Sequence, residues 1–293
     1  MKKLRLAECW RRGACIGALL LFLVSQASVA GIVEKHSVYS TTLARDLVYN
    51  LYVPDSYASS AQQYPVLYLL HGNLGTEQSW VDAGTIQSTL EGLVAEGKVG
   101  EQLLVIPADP KFWWADGDEE RMLTAFMEDL IPHIDNTYRT LAERSGRAIA
   151  GYSAGGFGTV NIALQYPQHF AVAAALSPAV YAPEPPADSS ATRQDTFLSD
   201  GVFDAQRWEN RNWVSFIEDY KASGMVVPFY INSGDHDRFD IAYYAAVFYQ
   251  ALREYQPRRV ELRIFDGDHD FDAWGGSIGD AMQYMATYLA TAR

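Results

Sequence analysis

The feature that most constrains the fold is a Gly-x-Ser-x-Gly turn at residues 151–155, between a strand pattern and a helix pattern. The apolar residues 148–150 precede the turn, and the helical pattern 160–166 follows it. A serine in so sharp a strand-to-helix turn occupies strained backbone, and its hydroxyl projects from the end of the strand. Ser153 is therefore the candidate nucleophile. The alternative interpretation is an ordinary glycine-rich turn.

The first 30 residues have the layout of a secretory signal peptide. Five basic side chains lie within residues 2–12, an apolar stretch covers residues 14–24, and small residues at 28–30 precede Gly31. The apolar stretch is much shorter than the ~20 residues that span a bilayer. We expect cleavage near Ala30, secretion or release into the periplasm, and no stable membrane insertion afterwards. An uncleaved anchor is the alternative.

Charge and cysteine content restrict the chemistry of the remaining chain. Both cysteines, Cys9 and Cys15, lie in the expected leader, so residues 31–293 can form neither a disulfide nor a thiol nucleophile. The net charge is −13 for the whole chain, and it becomes −17 without the five basic residues and one acidic residue of the leader. Such an acidic surface repels phosphate backbones, so we expect no nucleic-acid partner.

Strand and helix patterns alternate through the rest of the chain. Residues 47–53 alternate like a half-buried antiparallel strand, whereas the apolar runs at 65–70 and 103–106 are typical of strands buried on both faces. Further strands are predicted at 172–176, 227–232 and 260–265. Helices are predicted at 85–96, 122–134, 208–222, 241–255 and 278–290. The alternation indicates an α/β fold with a mostly parallel sheet and helices on both faces.

Two proline-containing segments depart from this rhythm. Pro132 lies within the second predicted helix and is expected to kink it. The stretch 183–200 begins with three prolines in four residues and is expected to be an irregular surface excursion, with a position at the rim of the site as one option. No second core is visible, so residues 31–293 are predicted to form a single domain.

A serine nucleophile needs a base, and the base needs an orienting acid. Among the six histidines, His269 follows the last predicted strand and has aspartates upstream, which satisfies the order serine, acid, histidine. The loop after the 227–232 strand carries Asp235 and Asp237, and either could orient the imidazole. This pattern predicts a Ser-His-Asp triad in which the acid is either Asp235 or Asp237.

The same chemistry needs donors for an oxyanion. One donor is expected to be the backbone N–H of Ala154, directly after the serine. The other is expected from the loop 71–75 after the 65–70 strand, with the Asn73 N–H as first choice and the Leu74 N–H as second.

The triplets 235–237 and 268–270, both Asp-His-Asp, allow a second interpretation as a metal site. They follow adjacent predicted strands, so we expect them to lie close together. A metal bound by both triplets would leave Ser153 without a base, and we therefore expect neither a metal nor a cofactor.

Several stretches resemble the esterase D/feruloyl-esterase group of α/β-hydrolases. They are residues 128–178, which contain GYSAGG, and the shorter LLHGNLGTEQSW, GDHDRFD and GDHDFDAW. The resemblance covers nearly the whole chain after the leader and implies an α/β-hydrolase fold. It favours Asp237 as the acid and His269, followed by Trp274, as the base. Ala154 departs from the pattern, because many members carry methionine there.

The resemblance also implies a substrate class. It implies an ester of a small acyl group or of a phenolic acid, free or linked to carbohydrate. Candidate pocket residues are aromatic, although core packing is an alternative for each of them: Trp80, Trp113, Trp114, Tyr152 and Trp274. Two competing functions remain, an acyltransferase of the mycolyltransferase type with the same triad and a non-catalytic binding protein on a hydrolase fold.

Overall fold

The computed structural model describes residues 31, 33–82, 86–109 and 111–293. The expected leader at residues 1–30 lies outside the described residues. In the part of the chain that is described, no helix is both long enough and apolar enough to cross a bilayer.

Eight strands form one central sheet, and two short strands form a separate hairpin. The strands are β1 (Val33–Ser40), β2 (Arg45–Tyr52), β3 (Val66–Leu70), β4 (Leu103–Pro107), β5 (Arg147–Tyr152), β6 (Val172–Leu176), β7 (Leu198–Ser199), β8 (Val202–Phe203), β9 (Phe229–Gly234) and β10 (Val260–Phe265). The order in the large sheet is β1-β2-β4-β3-β5-β6-β9-β10. The β1–β2 and β2–β4 pairs are antiparallel and all the other pairs of this sheet are parallel, which confirms the mostly parallel sheet.

Helices cover both faces of the sheet, as the sequence predicts. They are α1 (Ser79–Asp82), α2 (Ile86–Ala95), α3 (Met122–Ala125), α4 (Ile131–Thr137), α5 (Ala154–Gln165), α6 (Ala205–Asn210), α7 (Ile217–Ala222), α8 (Ile241–Tyr255) and α9 (Phe271–Ala286). Alternate residues of the central strands face two separate apolar cores. Helices α4, α5 and α8 pack into one core, and α2 and α9 pack into the other. Burial on both sides explains the continuous apolar runs of the parallel strands.

Three predicted helices differ in their bounds. The helix expected at 122–134 forms as α3, a π-helical turn at Phe126–Leu130, and α4. Pro132 falls in the first turn of α4, where the missing N–H costs little, and it directly follows the π-helical turn. The helix expected at 208–222 is divided into α6 and α7. Between them, the buried Asn212 amide donates to the Tyr181 carbonyl and accepts from the Trp213 N–H.

The last helix begins at Phe271, well before the predicted start at residue 278. The Asp270 carboxylate accepts the Ala273 N–H and caps the helix. Gly275 and Gly276 lie inside this helix and cost about 1 kcal/mol each relative to alanine. That cost is offset by the cap and by burial of Trp274.

The stretch 183–200 is less exposed than the sequence predicts. It contains two 3-10 turns, Ser190–Arg193 and Asp195–Phe197, and the Phe197 side chain is fully buried. The Phe197 ring contacts the rings of Trp113 and Trp208 edge-on. The excursion is therefore packed onto the domain through an aromatic cluster.

Candidate active site

Ser153 lies between β5 and α5 in a strained backbone conformation, with φ 55° and ψ −119°. Its N–H donates to the Leu176 carbonyl of the neighbouring strand at 2.9 Å. Gly155 allows the close approach of α5 to β3, because an added Cβ would lie 2.4 Å from the Leu70 carbonyl oxygen. The expected sharp turn is present, and it holds the serine hydroxyl at the carboxyl end of the sheet.

The structure brings Ser153, His269 and Asp237 together. The Ser153 Oγ lies 2.9 Å from His269 Nε2, and His269 Nδ1 lies 2.6 Å from Asp237 Oδ2. The other Asp237 oxygen, Oδ1, accepts the Phe239 N–H at 3.0 Å. These bonds fix the carboxylate and the imidazole in one orientation, with the Nε2 lone pair available to the serine.

Apolar rings shield the imidazole from water. The edges of the Phe239 and Trp274 rings approach His269 at 5.0 and 4.9 Å between centroids. The side chains of His269 and Asp237 are only 6% and 0% exposed. Electrostatic interactions are stronger in such a low-dielectric environment than in water. The position of His269 depends on α9, because the residue lies directly before the helix cap Asp270.

Asp235, the other aspartate open in the sequence, points away from this site. Its Oδ1 accepts the Gly267 N–H at 3.3 Å and lies 2.8 Å from His236 Nδ1. Asp235, His236 and Asp266 form an exposed group whose ligand atoms lie within 4.8 Å of one another. The two Asp-His-Asp loops are neighbours, as expected, but their histidines diverge, because His269 faces Ser153 and His236 faces solvent.

The loop between β3 and α1 packs directly against the nucleophile. An added Cβ on Gly72 would lie 3.3 Å from Ser153 Cβ. The Gly72 carbonyl accepts a hydrogen bond from His71 Nδ1 at 2.7 Å and another from the Gly75 N–H at 3.1 Å. Because the peptide is planar and trans, the Asn73 N–H points opposite to that carbonyl. The His71 ring thereby sets the direction of the Asn73 N–H.

A family model that matches most of the chain identifies the family. The model of the family Esterase, described as "Putative esterase", matches residues 40–285. The chain belongs to this esterase family. Among curated relatives, the Endo-1,4-beta-xylanase/feruloyl esterase of Xylanibacter ruminicola is 29% identical over 218 residues, which are 71% of this chain and 29% of that protein. Esterase Rv1288 of Mycobacterium tuberculosis is 34% identical over 136 residues, 44% of this chain and 28% of its own length. The chain thus spans less than a third of these curated relatives.

Solved structures show the same fold. A ferulic acid esterase has a TM-score of 0.78 and 26% identity, with 89% of this chain and 99% of that chain covered. An S-formylglutathione hydrolase from Agrobacterium tumefaciens has a TM-score of 0.73 and 22% identity, with 89% and 96% covered. These likenesses place the esterase chain in the α/β-hydrolase fold.

Two of the expected pocket residues, Trp80 and Trp114, are fully buried, which matches the core packing that the sequence left open as their alternative role. Trp80 is 0% exposed and its indole N–H donates to the Leu70 carbonyl, while Trp114 is 1% exposed and donates to the His71 carbonyl. Both therefore support the loops around Ser153 from the core side. Tyr152 stacks on Trp274 at 4.2 Å between ring centroids, and Trp274 in turn contacts the His269 ring edge-on.

Trp113 has a different role in the esterase site. Its indole N–H and the Gln194 side-chain amide both donate to Asn73 Oδ1 at 2.8 Å. Gln194 belongs to the excursion 183–200, so this segment reaches the loop beside Ser153. Nothing in the sequence signals this contact, because Gln194 and Asn73 are 121 residues apart.

Burial also determines the charge state of His71 in the esterase. Burial lowers the pKa of the imidazole to about 4. The ring donates from Nδ1 to Gly72 and accepts the Asp109 N–H at Nε2, at 2.8 Å. We call these two hydrogen bonds of the His71 ring the His71 clamp. A second proton, on Nε2, would face the Asp109 N–H, so the clamp requires neutral histidine.

This clamp predicts a loss of stability in acid. The folded-state pKa of His71 lies below the unfolded value of about 6.5, so the stabilisation is present above that value and is lost as the pH falls toward 4. The loss approaches about 3 kcal/mol at pH 4. Burial raises the pKa of Asp109 to about 6, which acts in the opposite direction over part of this range.

Comparison with a variant isolates the His71 contribution. Urea unfolding of the wild type and of His71→Gln at pH 7, 6, 5 and 4 should show a shallower pH dependence in the variant, although the variant is less stable at pH 7. Parallel curves for the wild type and His71→Gln would contradict this origin of the acid sensitivity.

Proposed function

We propose that the chain is a serine carboxylesterase that acts through an acyl-enzyme intermediate. The observation that carries the proposal is the line of contacts from Asp237 through His269 to the Ser153 hydroxyl, at 2.6 and 2.9 Å. The strained turn at Ser153 and membership of the esterase family support it.

In the proposed reaction His269 acts first as a base and then as an acid. Nε2 accepts the Ser153 proton while Oγ attacks the ester carbonyl carbon, and the proton then passes to the leaving alcohol oxygen. Asp237 keeps the other imidazole proton on Nδ1 and stabilises the positive charge that forms. A water molecule, activated by the same nitrogen, then hydrolyses the acyl-enzyme and frees the serine.

Backbone N–H groups stabilise the oxyanion in this proposal. Ala154 is the first residue of α5, where N–H groups have no acceptor within the helix. The Asn73 N–H is favoured as the second donor, because its peptide is oriented by His71 and the loop contacts Ser153. Leu74 remains the second choice. Removal of one such donor typically costs about 10²–10³-fold in kcat.

We propose a phenolic-acid ester, or an ester of a small acyl group, as the substrate, free or attached to carbohydrate. The support is the likeness to a protein named as a feruloyl esterase and to a ferulic acid esterase structure. Export is proposed from the leader-like residues 1–30, and an exported esterase would meet polymer-linked esters outside the cell.

The test is hydrolysis of p-nitrophenyl esters of increasing acyl length and of methyl ferulate, with and without EDTA. We expect turnover of short acyl or feruloyl esters, and unchanged rates with EDTA, because a serine, an imidazole and backbone donors suffice. Loss of activity with chelator and recovery with zinc would instead support a metal mechanism. No ester cleavage and no labelling by a serine-reactive phosphonate would favour a binding protein.

An alcohol acceptor separates hydrolase from transferase. With a sugar or a simple alcohol added, a hydrolase should release mainly free acid, because water enters the site to attack the acyl-enzyme. A product dominated by the new ester would contradict hydrolysis as the main reaction and would establish acyl transfer. Ser153→Ala should abolish both products.

A further inference from the structure

Gly31 occupies a tight, negatively charged position that is separate from the site at Ser153. The residue is buried, has a φ of +50°, and donates its N–H to Asp55 Oδ1 at 3.1 Å. An added Cβ would lie 2.2 Å from Glu91 Oε1 and 2.5 Å from Tyr52 Cε2. A side chain at this position would therefore force the Glu91 carboxylate and the Tyr52 ring to move.

The surroundings of Gly31 carry three carboxylates. Asp55, Glu91 and Glu101 line a cavity of about 280 Å³ beside Tyr52. Within the described residues, none of these three carboxylates has an ion-pair partner within 4.0 Å. Burial, and then the nearby charges of the three carboxylates, raise the pKa of the Tyr52 phenol. The pocket is thus suited to a small cation.

The backbone nitrogen of Gly31 already donates to Asp55, one of the residues that line this cavity. Gly31 also directly follows the small residues 28–30 that end the expected leader. We propose that the mature protein begins at Gly31 and that its α-ammonium group binds in this pocket as an ion pair with Asp55 and Glu91. A signal peptidase would hydrolyse the bond between Ala30 and Gly31. Water supplies the hydroxyl to the Ala30 carbonyl carbon and a proton to the Gly31 nitrogen, which is then protonated to the ammonium at neutral pH.

Cleavage changes what the Gly31 nitrogen can do. As an amide it has one hydrogen, which Asp55 accepts. As an ammonium it has three hydrogens and a positive charge, enough for both carboxylates. Because Asp55 follows β2 and Glu91 belongs to α2, the ion pair would tie the start of β1, an edge strand, to two other elements. Removal of the leader would therefore stabilise the folded domain, independently of any esterase activity.

Intact mass of the exported protein gives the first test, since the proposal requires a chain that starts at Gly31. A second test compares melting temperatures of chains that begin with free Gly31, with Nα-acetylated Gly31, and with Ala30. At pH 6.5 the free Gly31 chain should melt higher than both others by about 2–4 °C. The pair raises the folded pKa of the α-amino group above its unfolded value of about 7.7–8.0. The difference should therefore be full below that value and disappear as the pH rises toward ~10.

Variants separate the ion pair from a general effect of the terminus. In the double variant Asp55→Asn/Glu91→Gln, acetylation should no longer change the melting temperature. Glu254→Gln, at an exposed carboxylate on α8, should keep the full difference. Gly31→Ala, with its charged terminus intact, should also melt lower, because Cβ would displace Glu91. A different N-terminal residue in the exported protein, or equal melting of the free and acetylated chains, would overturn the proposal.

Discussion

Ser153→Ala is expected to lower kcat for ester hydrolysis by about 10⁶-fold, because the remaining groups cannot form an acyl-enzyme. The melting temperature should stay close to that of the wild type. His269 is the one described hydrogen-bond partner of the lost hydroxyl. Alanine can also adopt the strained backbone conformation of the turn as serine does. The measurement is steady-state hydrolysis of the best p-nitrophenyl ester together with thermal unfolding followed by circular dichroism.

Ser177→Ala is the matched control for this variant. Ser177 directly follows β6, is fully buried, and its hydroxyl has no partner among the described residues. Its removal should leave turnover within about two- to threefold of wild type, as for substitutions outside the reacting groups. Retention of more than about 1% of activity by Ser153→Ala would be far above the loss expected for a nucleophile, and would remove Ser153 from that role.

Asp237→Asn is expected to lower kcat by about 10⁴-fold, the cost seen when the orienting carboxylate of a serine triad becomes an amide. An asparagine amide facing Nδ1 would favour the tautomer with the proton on Nε2, where it can no longer accept the serine proton. The 2.6 Å contact to His269 and the complete burial of the Asp237 side chain make this effect specific to one position. Kinetics of the purified variant across pH 6–9 measure it.

Asp235→Asn is the paired comparison, two residues away. Its carboxylate accepts the Gly267 N–H at the surface, so the substitution should cost about 1 kcal/mol of stability or less. Turnover should remain near that of the wild type. The reverse result, with Asp235→Asn inactive and Asp237→Asn active, would assign the orienting role to Asp235 and contradict the geometry found here.

Local sequence patterns were sufficient to predict the buried strands of the sheet and the turn that carries Ser153. The runs at 65–70 and 172–176 are apolar because both faces of these strands are buried, and such runs can be recognised without knowing the partners. The turn at 151–155 can be recognised just as locally, from the glycines on either side of the serine, although the contact that requires Gly155 is made with β3. The bounds failed at Asn212, where a distant contact with the Tyr181 carbonyl outweighed local preference. At the start of α9 the missed signal was local, the Asp270 carboxylate that caps the helix.

The sequence by itself determined the α/β class, the strained serine turn, and a histidine after the last strand, because each depends on the order and periodicity of neighbouring residues. The order of residues left Asp235 and Asp237 open, and only the family resemblance favoured Asp237. The tertiary structure turns the Asp237 carboxylate toward His269 and the Asp235 carboxylate toward Gly267, because the loop conformation points the two side chains in different directions. It also revealed the His71 clamp and the Gln194 contact to Asn73. Those contacts join residues far apart in the chain, and side-chain directions across such distances are set by packing of the whole domain rather than by local sequence.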